Sequence, residues 1–210
     1  MFKQTMIGLV GAAALGMGFV SSAEAVSFVS TTGLADADQT ITFDEFVFDP
    51  GTPITNEYSS LGVEFSPTVF YSPQPSSAPG IQGNSIGNFF FTNQNPFSIL
   101  FNDIQSAAVF GFATNSGNTT FTALLDSVVV ESFSNATDLV SPTAFFGFTD
   151  ILFDEIQIEI AANSGLDFGL LDNLQTKAPS QSVPEPASML GLLTIGAVAA
   201  GGALKKKASA

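Results

Sequence analysis

Glu155-Ile156-Gln157-Ile158-Glu159-Ile160 alternates charged or polar residues with isoleucine over six positions, and that period of two decides the fold class. In a strand, successive side chains point to opposite faces, so the three isoleucines line one face and the glutamates and Gln157 the other. Working outward, Leu61, Val63 and Phe65 alternate with Gly62 and Glu64, and Phe97, Ile99 and Phe101 alternate with Ser98 and Leu100. Further apolar runs at 40–48, 86–91, 107–113, 119–125, 128–133, 143–148 and 167–174 have strand length. Turn formers separate them, among them Pro50-Gly51-Thr52-Pro53, Asn115-Ser116-Gly117-Asn118 and Asn163-Ser164-Gly165. No helical apolar stripe interrupts the series. Roughly nine or ten short strands at this spacing predict an all-β domain, an antiparallel β-sandwich or jelly roll.

The ends of the chain are built differently. Lys3 precedes an apolar run from Met6 to Val20, and Ala23-Glu24-Ala25 supplies small residues at the positions a signal peptidase reads. Residues 1–25 are therefore expected to be a secretory signal peptide, cut after Ala25, with Ala23 and Ala25 as the cleavage determinants. At the other end, Val183-Pro184-Glu185-Pro186 precedes an apolar stretch at 189–204, followed by Lys205, Lys206 and Lys207. As a helix, that stretch would be about 24 Å long, close to the roughly 30 Å of a hydrocarbon core once neighbouring residues or local thinning are included. The lysine cluster is expected to stay on the cytoplasmic side, leaving the body on the other side and anchored by its C-terminus. The expected organisation is a signal peptide at 1–25, a β-sandwich ectodomain at 26–177, a linker at 178–182 and a sorting segment at 183–210.

The tail of motif, apolar span and basic cluster resembles the PEP-CTERM sorting signal of Gram-negative bacteria. The matching residues are Pro184, Glu185 and Pro186, then the apolar stretch, then Lys205, Lys206 and Lys207. The resemblance implies recognition by exosortase, processing near the motif, transient residence in the inner membrane, and a destination in the envelope or extracellular matrix, where the family accompanies exopolysaccharide and biofilm functions. The prolines keep Glu185 extended, a form that a processing enzyme can grip. Within the body, Ile41-Thr42-Phe43-Asp44, Leu61-Gly62-Val63-Glu64-Phe65 and Phe168-Gly169-Leu170-Leu171-Asp172-Asn173-Leu174 are similar to the opening and closing strands of such ectodomains. This likeness implies a jelly roll like those of carbohydrate-binding modules.

Composition narrows the chemistry. The 210 residues carry 19 acidic side chains against five lysines, a formal net charge of −14, with no His, Cys, Trp or Arg. Thiolate and imidazole metal sites, disulfides and histidine-based nucleophilic catalysis are excluded. So much negative charge repels phosphate backbones, and nucleic acid is not an expected partner. Setting aside Glu24 and Glu185 leaves 17 carboxylates in the body, with Lys177 its single base.

Carboxylates thus carry whatever chemistry the body has. If the first and last strands lie side by side, Asp44 or Glu45 approaches Asp167 or Asp172, and the four are the candidate ligands of a structural calcium ion, which takes six to eight oxygens. No contiguous calcium loop supports them, and solvated surface charge is the competing reading. The proline-rich segment 66–83 reads as a long loop, on which Tyr71 is the candidate sugar-stacking residue, with a plain connector as the alternative. Two functions compete: a non-catalytic module for extracellular polysaccharide, and a structural surface or matrix protein with no discrete ligand. A glycoside hydrolase, which needs two carboxyls across a cleft, trails both, because the residues that usually position and stack a sugar are missing.

Overall fold

The computed structural model describes residues 26–73, 77–88, 94–141 and 143–180. The expected signal peptide, the sorting segment with Pro184, Glu185, Pro186 and its lysines, and linker residues 181 and 182 lie outside them. The described residues form eleven strands: β1 Val26–Ser30, β2 Gln39–Ile41, β3 Pro53–Ile54, β4 Val63–Ser66, β5 Val69–Ser72, β6 Ser85–Gly87, β7 Phe97–Thr114, β8 Gly117–Leu125, β9 Val128–Thr137, β10 Phe145–Ala162 and β11 Gly169–Lys177. Among the described residues the one helical element is a 3-10 turn at Ser59–Leu61. The strands join one antiparallel sheet in the order β3-β5-β6-β11-β7-β10-β8-β9, with β1 on β10, β2 on β11 and β4 on β7.

Two strands of 18 residues, β7 and β10, form its spine. They pair at one end from Phe145 opposite Gly111 to Thr149 opposite Ala107, and at the other from Glu155 opposite Leu100 to Ile158 opposite Phe97. Between these stretches the register slips twice, around Phe153. Bulges of this kind bend a strand and strengthen its twist. One half of the spine carries β1 and β11, and through β11 the strands β6, β5 and β3; the other half carries β4, β8 and β9.

The halves face each other across a phenylalanine core, which makes the bent sheet a sandwich. Phe121 of β8 stacks on Phe146 of β10 with centroids 5.2 Å apart and planes at 11°, and meets Phe112 of β7 edge-on at 5.6 Å. Phe133 of β9 packs on Phe148 of β10 at 5.2 Å. Ile156, Ile158 and Ile160, the alternating residues of the β10 motif, are all buried in the same cluster. Truncating a fully buried ring such as Phe121 removes this contact area and leaves a cavity, at a cost of about 3–5 kcal/mol. Gly147 shows how tightly the spine is packed, since a Cβ there would lie 2.0 Å from the carbonyl oxygen of Ala108.

Three expectations change. The run 40–48 pairs only through Gln39–Ile41; beyond it Phe43 takes φ +58, and Phe43, Phe46 and Phe48 gather around Tyr58 at 5.1, 5.3 and 6.2 Å. Their apolar pattern records burial without a ladder. The runs 97–101 and 107–113 belong to one strand, and β10 joins the second half of 143–148 to 155–160, because each strand runs on without a break through exposed residues such as Asn102 and Asp150. Finally, 66–83 is not one long loop. Val69-Phe70-Tyr71 is a short buried run between prolines, and it forms β5 against β3 and β6.

Asp126-Ser127 is a two-residue hairpin loop between Leu125 and Val128, with φ +50 and +65. Two positive φ values define the turn that matches strand twist, and Asn-Gly suits it best. Replacing the pair with Asp126→Asn and Ser127→Gly is expected to stabilise the domain by about 1 kcal/mol, read as a higher urea midpoint at an unchanged m-value.

Candidate functional site

The sheet brings the front of the domain to its back. Ile41 of β2 pairs with Leu174 of β11 and Thr40 with Gln175, so the residues just after Ile41 lie beside those just before Leu174. This register places Asp44 and Glu45 in the field of Asp172, raising its proton affinity. Asp172 stands where the β11–β7 register slips, next to Asn173 at φ +49. Asparagine tolerates that left-handed backbone better than most residues.

Asp172 is fully buried. Its Oδ2 accepts the Gln82 N–H at 2.6 Å and its Oδ1 the Asn173 N–H at 2.6 Å. The Asn173 Nδ2 donates to Asp172 Oδ2 at 3.1 Å and to the Gly80 carbonyl at 3.0 Å. The pair thus fastens the 80–82 segment to the sheet. Burial pushes the Asp172 carboxyl up to about 7 against the opposing pull of the Gln82 and Asn173 amides, and the nearby charges of Asp44 and Glu45 add to the rise. No cation offsets this, since Lys177 is the only basic residue among those described.

The exposed Asp44 holds the same segment from the other side. Its Oδ1 accepts from the Asn84 backbone at 3.0 Å and from Asn84 Nδ2 at 2.5 Å. Glu45 closes its own turn, Oε1 accepting the Thr42 N–H at 2.8 Å and the Thr42 hydroxyl at 3.0 Å. Asp167 is engaged elsewhere: its Oδ1 accepts the Ala162 N–H at 2.8 Å and closes the β10–β11 connection. The four expected calcium ligands therefore do not form one set, and among the described residues no group of three acidic side chains is placed to hold a metal ion. Each carboxylate instead receives backbone amides that the turns leave unpaired, a role that residue spacing did not reveal.

Tyr71 is a core residue, not an exposed sugar platform. It is fully buried in β5, with Phe48 packed edge-on at 5.3 Å. Its hydroxyl makes no hydrogen bond of good geometry. Burial raises its proton affinity, although the Phe48 amide acts in the opposite direction. Tyr58 beside it donates its hydroxyl to the Phe43 carbonyl at 3.2 Å. Sequence reasoning also passed over Asn173 and Gln82. The Asp-Asn pair inside an otherwise apolar strand was the available signal for a bulge.

No family model matches the chain, and no curated protein matches it in sequence. Among solved structures it is similar to the catalytic domain of a GH87 alpha-1,3-glucanase in complex with nigerose, at 16% identity and a TM-score of 0.33, over 66% of this chain and 30% of that one. A DUF4465 family protein from Bacteroides caccae is similar at 12% identity and a TM-score of 0.32, over 75% of this chain and 100% of the other. The chain spans about a third of the glucanase domain, and likeness this distant carries nothing about activity.

Two outcomes are expected from these contacts. An acid whose native proton affinity is raised holds a proton that the unfolded chain, near 3.8, releases. The Asp172 contribution is therefore complete below about pH 4 and lost as pH rises through about 7, worth up to about 4 kcal/mol. The urea midpoint should fall from pH 5 to pH 8, and Asp172→Asn should flatten that slope. Tyr71→Phe, which removes an unsatisfied buried hydroxyl, should leave the melting temperature unchanged or raise stability by about 1 kcal/mol.

Proposed function

We propose that the chain is exported, sorted at the inner membrane through its C-terminal segment by exosortase, and acts without catalysis in the envelope or extracellular matrix, bound to extracellular polysaccharide. One feature of the sheet supports the membrane-attachment part of this reading. Lys177 of β11 pairs with Ala107 of β7, Ala107 with Thr149 of β10, and Thr149 with Val26 of β1. The four residues form a single row across four neighbouring strands. With strands about 4.8 Å apart, the entry to the body and its exit stand side by side, roughly 14 Å from one another. A precursor held in the membrane by a leader at 1–25 and a tail at 183–210 is accommodated with short connections when both attachment points lie on one end of its body. The row supplies that arrangement.

The second reading, a matrix protein with no discrete ligand, has its own support. Among the described residues no Phe or Tyr is exposed; the exposed large apolar side chains are Val, Ile and Leu. Polysaccharide would then have no fully exposed aromatic platform to lie on, and would be held in a partly enclosed site or by polar contacts and shape.

Export and function are tested separately. Glu185→Ala in the full chain is expected to leave unprocessed protein in the inner membrane fraction, whereas the unaltered chain appears processed beyond it. The processed protein should be retained on the host's purified exopolysaccharide. Normal processing with no retention would favour the structural reading.

A further inference from the structure

A cavity of about 360 Å3 opens at the same end of the sheet, between the first turn after β1 and the end of β11. Its walls include Phe28, Asp36, Ser106, Thr149, Asp150 and Lys177. Thr149 and Lys177 belong to the row that joins the two chain ends, so strand register fixes this wall. The volume is at the lower end of the range for small-ligand pockets, the size class of a mono- or disaccharide unit.

The lining selects a chemistry. Lys177 is the single base here, and its ammonium is paired with Asp36, which raises its proton affinity, with further charge from Asp38 and Asp150. Three carboxylates around one ammonium leave an excess of negative charge and of hydrogen-bond acceptors. Such a mouth repels uronates, sulfates and phosphates and favours an uncharged ligand rich in hydroxyl donors. The Lys177–Asp36 pair is solvent-accessible, with 33% and 73% of the two side chains exposed. An exposed pair of this kind is weakly held, so both groups are available to re-pair with a ligand. Phe28, half-buried, contributes an aromatic wall, and the Thr149 hydroxyl adds a group that both donates and accepts.

We infer that this cavity is a binding site for a neutral hexose unit of a polysaccharide, gripped where the body joins its membrane-attached ends. The inference rests on the polysaccharide reading above and names the site and sugar class for it. A glycan held there would lie between the body and the bilayer while the tail is still attached, and would stay with the protein after release.

Asp150 has φ +61, a backbone conformation that asparagine adopts well, so Asp150→Asn tests charge and acceptor capacity without disturbing the strand. Asp36→Asn removes the second carboxylate, and Phe28→Leu the ring. The processed protein and the three variants, with folding checked by circular dichroism and melting temperature, are titrated calorimetrically with maltohexaose, galactan oligosaccharides, oligogalacturonate and spermidine. The proposal expects binding of a neutral hexose oligomer, no binding of oligogalacturonate, and a loss of about tenfold or more in Asp150→Asn and Phe28→Leu. Neutral binding that survives all three variants overturns the cavity and leaves polysaccharide association standing. Preference for oligogalacturonate, or binding of spermidine alone, overturns the sugar class. Retention on host exopolysaccharide without binding of either neutral oligomer overturns the site, and absence of both overturns the polysaccharide reading itself.

Discussion

Everything in this domain hangs on the pairing of β7 with β10. Each is long enough to run through both layers, and both bend where the register slips near Phe153. The bend is what lets a single hydrogen-bonded sheet close over itself, because Phe121 and Phe133 can then meet Phe112, Phe146 and Phe148 across the interior. A flat pairing of the same length would leave one face of each strand in water. The close approach at Gly147 and the buried alternating isoleucines of β10 belong to the same constraint. The outer strands attach to this spine and inherit their positions from it.

Acidic residues divide by what they do for the backbone. Asp44, Glu45, Asp167 and Asp172 each receive amide hydrogens that a turn or bulge leaves unpaired. Burial makes Asp172 costly to ionise, and the donors from Gln82 and Asn173 are what hold it in place. Around Lys177 the logic differs. There the carboxylates are open to solvent and surround the only ammonium in the described body, so their charge acts outward into a cavity. An acidic composition thus resolves into a set that holds backbone amides, of which Asp172 is buried, and a second set around the ammonium at the end where the described body begins and ends.

Much of the strand content was legible because alternation reports one-sided burial directly, as in 155–160 and 119–125. Burial without pairing was not legible: Phe43, Phe46 and Phe48 look like strand residues, yet they pack round Tyr58 from a loop. Tyr71 was misplaced for the converse reason. Flanking prolines suggested a loop, whereas three consecutive apolar residues formed a fully buried strand. The candidate site was half legible. The approach of Asp44 and Glu45 to Asp172 follows from pairing the ends of the domain, but the diversion of Asp167 to the Ala162 amide depends on turn geometry that no spacing encodes.

The amino-acid sequence by itself determined the all-β class, the acidic body with one lysine, and the apolar and charged composition of both terminal segments. These are local properties, written in periodicity and count. Only the tertiary structure decided which carboxylates meet, that Tyr71 is buried, and that Lys177, Ala107, Thr149 and Val26 share one row. Those outcomes depend on register between strands distant in the chain, and register is set by the bulges and the packing of the core, which no local stretch of sequence contains.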